Sequence, residues 1–403
     1  MLACILTLSL AFTFTSCSNG SSGGSDDDSG QVTNTTTSKA IYTVTFDANG
    51  GAGSIASVTE VGGAEIFLPA NTFTKEGYIF AGWATSADGS VSYSDKAKIT
   101  LTENITLYAK WGITAADAIS AIKSFKSSEE HTVTIAGTIT ADNLTAITEA
   151  INNSRAKISL DLGGATGIDS IGDRAFKDCD YLISMNIPSS VTSIGEYAFS
   201  GCSNLTSVSI PNSVTFIGNS AFNCCTRLTS IIIPDSVTSI GNSVFSQCEG
   251  LTSVTILGRI TSIGTSTFYY CESLSSVNIP NGVTTIGEEA FYYCTSLTSM
   301  TIPSSVISIG KGAFNYCTSL TSVNIPDNVT SIGNNAFRNC SGLTSVTIPK
   351  SVTSINLAAF FNCSNLKTVN YKGSKEDWEK IRINKDDNEP LLNATMVYNY
   401  TGE

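Results

Sequence analysis

Nine cysteines, Cys179, Cys202, Cys225, Cys248, Cys271, Cys294, Cys317, Cys340 and Cys363, follow one another at a constant step of 23 residues. Nine phenylalanines from Phe176 to Phe360 keep the same step, as do nine leucines from Leu182 to Leu366 and nine isoleucines from Ile171 to Ile355. One unit reads C-x-x-L-T-S-V-x-I-P-x-S-V-T-S-I-G-x-x-A-F-x-x. A segment this short cannot enclose its own Leu, Val, Ile and Phe. Stacked copies can, because each covers the open side of the last. The expected fold class is therefore a stacked-repeat solenoid: nine coils, a parallel β-sheet and short helical turns.

Within a unit, the L-x-x-V-x-I run, such as Leu205, Val208 and Ile210, alternates like a strand with one face inward. Parallel stacking at about 4.8 Å per coil predicts one continuous sheet some 40 Å long. Proline follows the strand from Pro188 to Pro349, with Leu257 the exception. Proline cannot donate to a ladder and marks where pairing stops. After the second isoleucine comes glycine, Gly172 to Gly333, with Asn356 in the ninth unit. Gly with Asn as substitute is the left-handed preference, so φ > 0 is predicted there. The A-F segment beyond it is expected to make a helical turn.

Composition narrows the function. Charged residues are 14% of the chain, against a usual ~25%, with Ser, Thr and Asn filling the gap. A net charge of −12 excludes a phosphate-neutralising surface, so no nucleic-acid partner is expected. The single histidine, His131, has no partner for a His-based metal site, and no metal or cofactor is expected.

Ahead of the repeats lie three further segments. Residues 1–16 carry an apolar run too short to span a bilayer, ending at Ser16–Cys17. Residues 17–40 are a flexible Gly/Ser/Asp tether. This arrangement resembles a bacterial lipoprotein signal, and the resemblance implies lipidation at Cys17 and a membrane contact through that lipid alone. An ordinary cleaved secretory signal is the alternative, and both place the chain outside the cytoplasm. Residues 41–112 alternate in strand fashion, with Asn49-Gly50-Gly51 and Asp88-Gly89 as turns and Phe46, Phe80, Trp83, Tyr108 and Trp111 as expected core. Their strings VTFDANGG, FTKEGYIFAGWATSADG and NITLYAKW resemble the Listeria–Bacteroides repeat, or internalin B-type repeat. That resemblance implies a small β-grasp-like module of exported surface proteins, serving as a spacer or weak binding module.

The string S-I-G-x-x-A-F-x-x-C-x-x-L-T-S-V-x-I-P, repeated over residues 169–371, resembles the BspA-like leucine-rich repeats of bacterial surface proteins. Residues 113–168 read as its leading cap, with helices at Ala115–Phe125 and Ala141–Asn152 and strands at Thr132–Ala136 and Ile158–Leu162. Residues 372–403 break the period and read as the closing cap. The resemblance implies a non-catalytic adhesin of the cell envelope or outer surface, engaging host matrix proteins, host cell-surface proteins or other bacterial cells. An envelope spacer without a ligand, or a carbohydrate-binding accessory protein, are the alternatives.

Candidate chemistry is sparse. The cysteine column lies between Phe and Leu columns, where a small apolar side chain fits, and is read as buried free thiols. Coil spacing also brings neighbours near disulfide reach, whereas no C-x-x-C suggests metal. His131 sits in a cap strand with no nucleophile at motif spacing, Glu129–Glu130 and Glu288–Glu289 read as solvated charge, and no phosphate-binding glycine motif is present. Two binding surfaces stand out instead. The outward side of the strands is a Ser/Thr/Asn lattice, exemplified by Thr206, Ser207 and Ser209 in one coil and Thr298, Ser299 and Thr301 in another. Tyr269-Tyr270, Tyr292-Tyr293 and Tyr316 precede Cys in three successive coils and form a strip in one register. Such a strip is either an exposed platform for protein or glycan, or a set of rings packed on one another at a coil corner.

Overall fold

The computed structural model describes residues 39–402. The signal segment, Cys17 and all but the last two residues of the tether lie outside the described residues.

Strand alternation builds the first module. Strands β1 (Ile41–Asp47), β2 (Val58–Val61), β4 (Ile79–Ala84) and β6 (Ile105–Gly112) make a sheet in the order β2-β1-β6-β4, while β3 (Glu65–Phe67) pairs with β5 (Lys98–Thr100). The central β1–β6 pair is parallel and its flanks antiparallel, a mixed sheet of the β-grasp kind. Asn49 (φ 47°) and Gly50 (φ 80°) both take the left-handed backbone of a tight turn closed by Gly51 N–H donating to Ala48 O at 2.9 Å. Trp83 is fully buried, with the rings of Phe46, Phe80 and Phe73 at 5.0, 5.0 and 6.0 Å. Tyr108, expected in this core, is only half-buried and outside it. Along β6 the inward residues are Leu107, Ala109 and Trp111, so the two-residue period turns Tyr108 to the other face.

Helices α1 (Ala115–Ser124) and α2 (Ala141–Ser154) start where Thr114 and Thr140 accept hydrogen bonds from the backbone N–H groups of Asp117 and Asn143. The intervening strands β7 (Glu130–Thr138) and β8 (Lys157–Thr166) already belong to the solenoid ladder. With β9 (Ser170–Ile171), β10 (Leu182–Asn186), β11 (Ser193–Ile194) and β12 (Ser207–Ser209) defined, the first ladder runs β7-β8-β10-β12, all parallel. The outer edge of β7 is covered where the chain leaves the module: Ile113 N–H donates to Thr134 O at 3.0 Å, and Ala136 N–H to Ile113 O at 3.0 Å.

Most coils contribute a short strand around the Val of the Leu-x-x-Val run and a second ending at the following Ile to two parallel ladders. The first column is not the continuous sheet expected. It breaks after β12, resumes at Ser230–Ile233, Ser253–Ile256 and Ser276–Asn278, and resumes again from Ser322–Asn324 onward. The run Thr298–Ile302 does not pair as a strand. Inward residues just ahead of these breaks or within the unpaired run, Val208, Val277 and Met300, are half-buried, whereas Ile231 and Val323, just past them, and Val254 and Val346 are buried. The coils part at these seams enough to admit solvent.

The A-F segment is a series of tight turns and not a helix. Ala175 N–H donates to Gly172 O, Lys177 to Arg174, and Cys179 to Phe176. Left-handed residues interrupt it in every coil, which prevents helical continuation. These residues are not the glycines predicted: Gly172 to Gly333 have no positive φ. The left-handed positions are two residues later, as at Arg174 (59°) and Tyr197 (55°), and just before Cys, as at Asp178 (55°) and Gln247 (60°). The glycine column has another cause. A Cβ on Gly218 would lie 2.7 Å from Glu196 N, and on Gly287 2.7 Å from Gly264 C, so adjacent coils touch backbone to backbone there. Gly172, in the first coil, has nothing within 4 Å.

Inside, all nine phenylalanines are fully buried, with neighbouring ring centroids from 5.1 Å (Phe199–Phe222) to 5.7 Å (Phe222–Phe245). From Cys202 on, each column cysteine directs its Sγ–H to the carbonyl of a phenylalanine one coil back, for example Cys202 to Phe176 at 3.0 Å and Cys340 to Phe314 at 3.0 Å. That carbonyl also accepts a turn N–H, as Phe199 O does from Cys202 at 3.1 Å, so its two lone pairs are satisfied. This accounts for Cys at a buried position where Ala would otherwise fit.

The strands Arg382–Ile383 and Thr395–Val397 extend both ladders through the closing cap. Buried Asn388 finishes the stack. Its Oδ1 accepts from Phe360 N–H at 2.9 Å, and its Nδ2 donates to Asn356 O at 2.9 Å and Asn384 O at 2.7 Å. In earlier coils the Phe N–H donates to the next coil, as Phe337 does to Ala359 O, so one side chain replaces a missing coil.

Candidate functional site

The tyrosines meet at one corner. Tyr269 stacks on Tyr292 at 4.9 Å and Tyr270 on Tyr293 at 4.5 Å, and Tyr316 lies 5.2 Å from Tyr293. All five are half-buried. They bury one another's faces and leave part of each ring to solvent, so the rings are packed on one another at the corner and partly exposed. Removal from water raises the Tyr269 and Tyr292 hydroxyl pKa values above the usual range, with neighbouring tyrosines adding to the effect. Tyr270, Tyr293 and Tyr316 occupy the left-handed position before Cys, at φ 56°, 63° and 63°. Other coils place Gly201, Asn339 or Asn362 there, residues that take this backbone more readily. A ring at such a position costs about 1–2 kcal/mol, which offset stacking returns at ~0.5–1.5 kcal/mol per pair.

The predicted Ser/Thr lattice divides by chemistry. Thr206, Ser207 and Ser209 are exposed, as are Thr298, Ser299 and Thr301. The Thr206 hydroxyl, however, donates to Ile183 O at 2.8 Å, and its counterparts Thr252 and Thr344 bond the preceding coil in the same way. These threonines are struts between coils. The Ser207 and Ser209 hydroxyls have no hydrogen-bond partner among the described residues. The structure does not bring the two sampled coils together: Thr298, Ser299 and Thr301 lie four coils further along, outside the paired strands.

Sequence reasoning missed a third feature. The module is not strung out ahead of the repeats as a spacer but rests on their first strands, around a cleft of about 760 Å³. Buried Asp161 holds the contact. Its Oδ2 accepts from Val91 N–H at 3.2 Å, and its Oδ1 from Gly163 N–H at 2.9 Å and Asn186 Nδ2 at 2.8 Å, while Asn186 Nδ2 also donates to Val91 O at 3.1 Å. Gly163 and Gly164 permit the approach, since a Cβ on either would stand 2.6 Å from Val91 Cβ or 2.4 Å from Ala81 Cα. Only the Gly163-Gly164 pair signalled a close contact in the sequence.

The remaining candidates have structural partners. Burial raises the thiols of Cys179 and Cys363 to about 12 and those of Cys202, Cys271, Cys294 and Cys340 well above the usual range, so these are poor nucleophiles at neutral pH. His131 stacks on Phe125 at 3.7 Å and approaches Glu129 at 3.2 Å. Lys157 pairs with Glu130 and Lys311 with Glu288. Among the described residues no group of three or more His, Cys, Asp or Glu is placed to hold a metal ion, and no helix is long and apolar enough to cross a membrane.

The family model described as the BspA type leucine rich repeat region matches residues 169–296 and 261–382, together more than half of the chain. The chain belongs to the BspA-type leucine-rich repeat family. Ahead of the BspA-type region, the Listeria-Bacteroides repeat domain model matches residues 42–110. Among solved structures, a leucine-rich repeat protein from Bacteroides ovatus is 30% identical with a TM-score of 0.52, over 67% of this chain and 66% of its own. A leucine-rich repeat protein from Eubacterium ventriosum is 22% identical, with a TM-score of 0.33 over 60% of this chain and 79% of its own. A leucine rich cell surface protein from Faecalibacterium prausnitzii is 24% identical, with a TM-score of 0.25 over 77% of this chain and 97% of its own. No curated protein matches the sequence.

Proposed function

We propose that this BspA-type protein is a non-catalytic binding protein of the bacterial surface, an adhesin that engages host matrix or cell-surface proteins, or other cells, through the tyrosine corner. The supporting observation is that three bulky rings occupy left-handed backbone positions and remain half-exposed. The backbone has no use for them there. Tyrosine supplies large contact area at low conformational cost and is enriched at interfaces. Export and a lipid on Cys17 complete the proposal, the tether letting the solenoid stand off from the membrane. Matrix-protein and whole-cell capture by the wild type, compared with the Tyr270/Tyr293/Tyr316→Ser triple variant, tests the adhesin. Capture should fall about tenfold or more in the variant. Equal capture removes the tyrosines from the proposal, and no capture by either leaves an envelope spacer. Mass spectrometry of the mature N-terminus decides the anchor: an acylated Cys17 supports it, an unmodified terminus overturns it.

A further inference from the structure

We infer that the cleft between the module and the first solenoid strands is a binding site for a neutral oligosaccharide, separate from the tyrosine corner. The inference rests on reading the chain as a binding protein and gives that reading a second site and a ligand class. The cleft floor is set by strand register. Thr132 pairs with Ser159, Ser159 with Ser184, and Ser184 with Ser207, which places four hydroxyl side chains in one row across β7, β8, β10 and β12. Strand spacing sets them about 4.8 Å apart. None of the four hydroxyls has a hydrogen-bond partner among the described residues, in contrast to the neighbouring threonine struts, so each can both donate and accept. A second row, Asp161, Asn186 and Ser209, runs beside the first. The wall is the module's Val91–Ser94 segment, and it brings half-buried Tyr93 to the cleft.

The chemistry of this lining selects its ligand. Its one ionisable carboxylate, Asp161, is already held by Val91, Gly163 and Asn186, so the cleft has no free charge with which to bind an ionic ligand. About 760 Å³ lies within the usual range of small-ligand sites. Evenly spaced neutral hydroxyls that donate and accept, beside an aromatic ring, match a saccharide's alternation of hydroxyl edge and C–H face. The row also has a boundary. Past β12 the paired sheet breaks, and the outward position of the next coil, equivalent to Ser209, is Ile232, 60% exposed. The second row thus ends beside the module, whereas the serine row runs on through Ser230 and Ser253 with no wall facing it.

Isothermal titration calorimetry of the full chain with maltohexaose, cellohexaose, xylohexaose and mannohexaose tests the inference, with a hyaluronan fragment and a Gly-Ser peptide as charged and peptidic probes. At least one neutral oligosaccharide should bind. Ser184→Val with Ser207→Val should weaken it about tenfold or more through two lost hydrogen bonds. Ser322→Val with Ser345→Val, in the same row far from the cleft, should leave it unchanged, and thermal melting verifies that both variants fold. Absence of binding by all four sugars, equal binding by the cleft variant, or tighter binding of the peptide or hyaluronan overturns the inference. Cell and matrix-protein capture by the wild type, set beside its sugar titrations, separates the two sites. Capture without sugar binding refutes the cleft alone, whereas sugar binding without capture refutes the adhesin and leaves the cleft standing.

Discussion

Two stacks of aromatic rings run along this solenoid, both produced by placing a ring at the same position of successive coils. The phenylalanine stack occupies all nine coils, wholly enclosed, at about the spacing of the tyrosine rings. The tyrosine stack occupies three, half in water. Register alone therefore brings rings together, and burial determines whether the fold depends on them. Removing a phenyl ring opens a dry cavity between two coils. Removing a phenol ring leaves a position that other coils fill with Gly, Asn or Asp.

The sharpest way to break the inner stack is alkali. Several thiols beside it are held protonated by burial, Cys179 and Cys363 up to about 12 and Cys202, Cys271, Cys294 and Cys340 well above the usual thiol range. The unfolded chain gives up those protons from about pH 9. The stabilisation is therefore full below pH 9 and is lost as pH climbs through 12, because there the unfolded state binds fewer protons than the folded one. Melting temperature measured against pH should fall cooperatively over that window, thiolate absorbance appearing only as the coils open. Thiolate titrating near pH 9 in an intact fold would contradict the buried column.

Next in size is Phe268→Ala, which should cost ~3–5 kcal/mol in denaturant unfolding by leaving a cavity in the middle of the stack. Gly287→Ala should cost ~1–3 kcal/mol, since its Cβ would enter the backbone of the preceding coil, whereas Gly172→Ala should be neutral or slightly stabilising. Equal costs at the two glycines would refute the close-approach account. Smallest is Tyr293→Ser, expected within about 1 kcal/mol on the same unfolding assay, because the stacking it loses is balanced by a residue better suited to its backbone. A cost near that of Phe268→Ala would make the tyrosine corner structural and leave the adhesin proposal without its support.

Periodicity made the solenoid and its enclosed columns legible, because an apolar side chain recurring every 23 residues has one way to leave water. The glycine column was located correctly and explained wrongly. Left-handed backbone and close backbone contact both select glycine, and only coordinates separate them. The actual left-handed positions carry Arg174, Tyr197, Ser243 and Gln247, which give no local sign. Tyr108 was misplaced because an aromatic was weighed above strand alternation. The cleft was illegible since its decisive contacts, Val91 with Asp161 and with Asn186, span 70 and 95 residues. No pattern within one repeat encodes a contact made from outside the repeats.

Asn388 closes the stack with groups from a single amide, and every interior coil meets its neighbours through the same joint of Gly, Phe and Cys. Duplicating or excising a whole 23-residue unit between Gly195 and Gly333 would thus leave the ends and all surviving joints chemically unaltered. Solenoid length becomes a quantity that recombination can adjust in whole steps, with no redesign of the interior.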